Sequence, residues 1–199
     1  FLMRHIHPFH DSDFAIETAE DGQVRFTGLD EAYTAEMANG IGNLVSRSLT
    51  LLVKNGGGGG RPRACEGAEE QAVIARFREV FADYERLMAD YVFDQALNKV
   101  WEGVAALDQY INARAPWAMA KDPAQAEALQ DVLYVLAEGV RMLGSLLWPT
   151  MPRTAEEIWR RLGLEIGPGD MPWEEQKRWG VLGEGLKVEK GDPLFPRLS

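Results

Sequence analysis

Residues 38–50 read Ala38-Asn39-Gly40-Ile41-Gly42-Asn43-Leu44-Val45-Ser46-Arg47-Ser48-Leu49-Thr50. The spacing predicts the middle of a long helix. Leu44, Val45, Leu49 and Leu52 fall mostly on one side and form an apolar stripe. Asn43 and Arg47 stand four apart, so they share another face, one turn from each other. A helix built this way presents Asn and Arg donors rigidly to a planar ligand. The same spacing also describes a solvated face carrying a helix-stabilising polar pair. Gly40 and Gly42 each cost such a helix about 1 kcal/mol relative to Ala, which points to close approach by a neighbouring helix or a ligand.

Working outward, Thr27-Gly28-Leu29-Asp30 has the form of a helix start, with Thr27 as N-cap and an acid three residues on. That helix is expected to run to about Val53. Gly56 to Gly60 is a five-glycine run followed by Arg61-Pro62-Arg63. It lacks the preceding strand and the Lys-Ser/Thr pair of a phosphate-binding loop, and reads as a flexible connector. A second helical pattern covers Glu69 to Met88, and a third covers about Asp90 to Ala113. Pro116 ends the third, and Ala115 before it is expected to be extended. Asp122-Pro123 is a strong start for a fourth helix reaching Leu147, with Leu129, Val132, Leu133, Leu136, Val140, Leu143 and Leu147 as its stripe. Thr154-Ala155-Glu156-Glu157 reads as a capping box for a short fifth helix ending at Gly163.

Four long helices with short connections predict an all-α antiparallel helix bundle, with strand patterns almost absent. The expected organisation is an irregular connector over residues 1–28, a bundle over 29–163, and a tail over 164–199 packing back on the helices. That tail holds a short helix from Trp173 to Trp179 and an extended Pro193-Leu194-Phe195-Pro196. The chain begins Phe1-Leu2-Met3-Arg4, without an initiating Met, and reads as a cut edge.

Composition narrows the function classes. At 199 residues with 46% hydrophobic residues the chain can build a core. A net charge of −10 argues against coating nucleic acid by bulk attraction, though not against a local basic contact. The single cysteine, Cys65, rules out an internal disulfide or a thiolate metal cluster and fits a reducing compartment. No apolar run approaches the length of about 18 residues that a membrane span needs.

Candidate chemistry is sparse. His5, His7, His10, Asp11 and Asp13 are suitable metal ligands, but no spacing sets them on one helix face, and they read as a solvated turn with capping carboxylates rather than a metal site. The serines have no nucleophile-elbow context. Glu69-Glu70 and Glu156-Glu157 sit at helix starts, where the helix dipole accounts for them. The residues favour a binding module over an enzyme. Asn112-Ala113-Arg114-Ala115-Pro116-Trp117 adds a Trp held by Pro just past a helix end. Such a stiff aromatic can be a stacking platform for an unpaired base, or a core Trp at a helix corner.

Five stretches, in order, resemble the C-terminal part of the methionyl-tRNA synthetase family. They are Phe1–Ile6 with Asp11–Phe14; Ala38–Arg47; Tyr110-Ile111-Asn112 with Pro116–Lys121; Leu146–Pro152 with Thr154-Ala155; and Pro193–Arg197. The resemblance implies the α-helical anticodon-binding domain of a class I synthetase. It implies that Asn43 and Arg47 hydrogen-bond the first anticodon base, a cytosine, that Trp117 stacks on that base, and that Pro116 sets the position of Trp117. Asn39 is a possible further contact to tRNA. The implied partners are tRNA(Met) and a catalytic domain, in cis or as a separate chain, in the cytoplasm. The family's HIGH-like and KMSKS-like signatures and its zinc-knuckle cysteines are not in this sequence. No cofactor is therefore expected on these residues; ATP, methionine and any zinc belong to the catalytic part, and these residues alone are expected to be inactive. The five-glycine run is longer than the family's usual connector, and no further appended domain is expected. Rival readings are the anticodon domain of a leucine, valine, isoleucine or cysteine synthetase, a free-standing helical interaction protein, and an enzyme using the His/Asp cluster.

Overall fold

The computed structural model describes residues 4, 17, 18, 22, 24, 25, 27–55, 65–185 and 187–196. Among these, a two-stranded antiparallel ribbon, β1 (Glu17–Thr18) and β2 (Val24–Arg25), pairs Glu17 with Arg25 and Thr18 with Val24. It is the only strand pairing among the described residues, and the remainder is helical. The helices are α1 (Thr27–Tyr33), α2 (Asn43–Asn55), α3 (Ala68–Ala89), α4 (Phe93–Arg114), the short α5 (Pro116–Met119), α6 (Ala126–Leu147), α7 (Pro152–Arg161) and the short α8 (Trp173–Gln176). The glycine run and the His/Asp cluster lie outside the described residues.

The first helical run is not the uniform helix its pattern predicts. Between α1 and α2 the chain winds wider, as a π-helix over Thr34–Gly42, and Gly40 leaves helical geometry altogether (φ −84°, ψ −106°). Wide turns inside helices commonly mark functional places. Gly42 is buried because the tail lies against it: a Cβ added there would stand 3.2 Å from Cδ2 of Phe195 and 2.8 Å from the carbonyl of Met37. The expected approach by a neighbouring helix is thus not what is found: Phe195 of the tail approaches Gly42, and among the described residues Gly40 meets only the Ala35 carbonyl of its own segment.

α6 is the centre of the molecule. Every residue from Val132 to Leu147 is buried, polar ones included, where its pattern suggested a one-sided stripe. A helix enclosed on all sides packs against several partners, and α6 contacts α2, α3, α4, α5 and α7. Its start follows the sequence reading: the Asp122 side chain accepts the Ala124 N–H at 3.0 Å, and a 3-10 turn over Pro123–Gln125 leads into the helix. The fifth expected helix, α7, begins earlier than its supposed capping box. Pro152 takes the first turn, where a missing N–H costs nothing, and Met151 precedes it. Its end is as expected. Gly163 adopts φ +84°, its N–H bonds the Arg160 carbonyl at 3.0 Å, and Leu164 N–H bonds the Trp159 carbonyl at 3.1 Å, a Schellman closure.

Two fully buried charges on α6 fasten the segment after α7. Arg141 donates from Nε to Glu138 (2.8 Å) and from its two terminal nitrogens to the carbonyls of Gln176 (2.8 Å) and Arg178 (2.7 Å). Glu138 Oε1 accepts the Leu182 N–H at 2.5 Å and the Tyr134 hydroxyl at 3.3 Å. Trp173 adds a bond from Nε1 to Glu85 (2.5 Å) and packs its ring 5.3 Å from that of Phe81.

Candidate nucleic-acid interface

The end of α4 is held firmly. Tyr110 and Ile111 are buried, and the Tyr110 hydroxyl donates to Glu70 Oε1 at 2.6 Å. Glu70, 2% exposed, also faces Arg114 Nε at 3.2 Å. The helix dipole alone thus does not account for Glu70. It joins the start of α3 to the last turn of α4. Burial, and then the Glu70 bond, push the Tyr110 phenol above its ordinary range.

From that anchored turn the chain reverses through Ala115, which is left-handed (φ 45°, ψ 57°) and not extended as expected. A residue before proline avoids the right-handed helical region because the proline ring crowds it. Ala115 escapes to the left-handed side, and still serves both helices. Its N–H bonds the Ile111 carbonyl at 3.1 Å, and its own carbonyl accepts Ala118 N–H at 2.8 Å. Pro116, the first residue of α5, is buried, as is Met119 at its end. Trp117 between them is 46% exposed, among the few large apolar side chains so placed. It is not a core tryptophan. It follows a buried proline at the first position of its short helix.

Arg47 reaches the same end of the bundle from α2. Its guanidinium donates to Asp108 Oδ1 at 2.8 Å and to Asn112 Oδ1 at 3.0 Å, both on α4. Asp108 and Asn112 are one helical turn apart and linked by a 3.5 Å bond. Arg47 keeps one third of its side chain exposed, and Asn43, one turn back, is exposed. Asn39 is exposed one turn further, on the other side of the Gly40 break. The structure therefore ties Arg47 across to α4, at Asp108 and at Asn112, the latter five residues before Trp117. The sequence reading instead points the Asn43–Arg47 pair at Trp117 across a gap for one base. Asp108 and Asn112 went unassigned in the sequence reading. Their four-residue spacing was visible, but not which helix they face.

α2 thus carries exposed amide and part-exposed guanidinium donors, and α5 carries an exposed aromatic. Such groups suit a planar, acceptor-rich ring that has left its own stack. Among the described residues no group of His, Cys, Asp and Glu could hold a metal ion, and no helix is long and apolar enough to cross a membrane.

Comparison with known proteins identifies the fold. Residues 70–181 match the family described as "Anticodon-binding domain of tRNA ligase". The chain belongs to that family of nucleic-acid readers. Within it, the chain is similar to methionine–tRNA ligases. It is 33% identical over 180 residues to that of Bacillus subtilis, covering 90% of this chain and 27% of the relative. It is 34% identical over 182 residues to that of Thermotoga maritima, covering 90% and 28%. The chain spans less than a third of the length of these relatives. Among solved structures, the free state of Mycobacterium tuberculosis methionyl-tRNA synthetase superposes with a TM-score of 0.74 at 24% identity, over 89% of this chain and 36% of that one, which supports the fold.

Proposed function

We propose that this chain reads the anticodon of tRNA(Met) as the tRNA-binding part of a cytoplasmic methionine–tRNA ligase. The observation that carries the reading is the meeting of Arg47 with Asp108 and Asn112 near the end of α4, Asn112 standing five residues before the exposed Trp117. An anticodon base splayed from its loop exposes a face and a Watson–Crick edge. Trp117 takes the face, and buried Pro116 fixes its position. Cytosine presents O2 and N3 as acceptors, which suit the donors of Arg47 and Asn43, and Asn39 extends the donor row. The ligase chemistry, with its ATP, methionine and any zinc, belongs to a catalytic partner. The acidic net charge keeps nonspecific attraction to phosphate low, so selectivity rests on base contacts.

The test is binding of the chain to an anticodon stem-loop carrying CAU, against one carrying UAU. Preference for CAU is expected. Equal affinity for the two loops would remove base reading and leave a helical interaction protein that kept the fold.

A further inference from the structure

Arg4 lies before the first described helix, yet its side chain is only 17% exposed. Its guanidinium pairs with Glu36 in the wide-wound segment and donates from Nε to Asn98 Oδ1 at 2.7 Å. It also sits 4.4 Å above the ring of Trp101, within cation–π range. Asn98 and Trp101 belong to α4. One side chain therefore bolts the first helical run to α4. Further along the same two elements, Arg47 makes a second bridge to Asp108 and Asn112. Between the two bridges on the first run lies the break at Gly40, which carries no helical geometry to resist a shift. Asn39 and Asn43 flank that break.

We propose that Arg4 is a positioning residue for the base-reading face: it fixes the spacing of the first helical run and α4, so that Arg47, Asn43 and Asn39 stand correctly for the ligand. The proposal rests on the anticodon reading above. Arg4 touches no ligand. It acts through Glu36, Asn98 and Trp101, and the Gly40 break is the joint across which a loss of Arg4 is felt.

The experiment measures stem-loop affinity, CAU and UAU, for the 199-residue chain and for Arg4→Ala, Arg4→Lys, Arg47→Ala and the Arg4→Ala/Arg47→Ala pair. Val100→Ala, a core change on α4, serves as a control for general loosening. Arg4→Ala should lower CAU affinity about fivefold, in the range for residues that modulate a site they do not touch. Arg4→Lys, which keeps a cation over Trp101 and beside Glu36, should restore most of it. The double variant should lose less than the product of the singles. A second readout needs no RNA: Arg4→Ala should shift the Arg47 Nε–H resonance and speed amide exchange over residues 39–43, while Val100→Ala does neither. Wild-type affinity from Arg4→Ala, multiplicative losses in the double variant, or equal effects from Val100→Ala would each overturn the proposal. Absence of CAU preference in the wild-type chain would instead overturn the anticodon reading, and the resonance and exchange data would still decide the Arg4 link.

Discussion

At the scale of single residues, the candidate surface depends on how few atoms hold it in place. Trp117 is half exposed and supported by Pro116 and Met119, so its removal should cost binding without costing the fold. Trp117→Ala should weaken stem-loop binding by about 1–3 kcal/mol, the usual value of stacking one base. Unfolding by urea should change by no more than about 0.5 kcal/mol, as for an ordinary surface substitution. Ala115 is the complementary case. A non-glycine residue in left-handed geometry carries about 1–2 kcal/mol of strain, and glycine removes it at an entropic cost of about 0.4–1 kcal/mol. Ala115→Gly should therefore stabilise the chain by about 0.5–1 kcal/mol, read as a rise in the urea midpoint at constant slope. Neither feature of Ala115 was readable beforehand. The sequence said that proline forbids one conformation, and the choice among the rest was made by the Ile111 carbonyl and the Ala118 N–H.

At the scale of helices, periodicity was a good guide wherever a helix has one wet side. α3, α4 and α6 follow their apolar spacing to within three residues at their ends, and Asp122 and Gly163 do at the termini what their residue types suggest. Pattern reading failed where burial is complete. Glu138 and Arg141, three apart on α6, look like an ordinary surface ion pair. They are buried because carbonyls 35 and 37 residues downstream supply acceptors for Arg141, and no local signal announces that. The Gly40 break was not foreseen: the glycines read as marking close approach within one continuous helix, and the chain instead winds wide over Thr34–Gly42 and leaves helical geometry at Gly40. Removing one member of a buried pair strands the other, at a cost of about 3–5 kcal/mol. Arg141→Met should show that loss in urea unfolding followed by tryptophan fluorescence. A Glu138→Leu/Arg141→Met double variant should recover only part, because the Leu182 N–H and the Gln176 and Arg178 carbonyls still lose their partners.

For the molecule as a whole, pH separates the core from the surface. Burial pushes the Tyr84 phenol up to about 12. Tyr110 and Tyr134 are raised by burial first, and then by Glu70 and Glu138 respectively. In the unfolded chain a phenol ionises near its ordinary value of about 10. Above that pH the folded state holds more protons than the unfolded one, so stability, complete below pH 10, falls as pH rises toward 12. The urea midpoint should be flat up to about pH 10 and then drop. Tyr84→Phe should soften the drop, and it should not destabilise at neutral pH, since the Tyr84 hydroxyl is buried without a hydrogen-bond partner among the described residues.

The clasp between α6 and the segment after α7 also bears on the order in which the chain can be completed during synthesis. Arg141 is made well before Gln176 and Arg178, and Glu138 well before Leu182. Until those last residues leave the ribosome, the middle helix carries two charges that cannot shed their water. The nascent bundle must therefore wait, its central helix still wet on one side, for the segment from Gln176 to Leu182. A chain halted at residue 170 has every long helix of the fold and still lacks the acceptors that let the central one close.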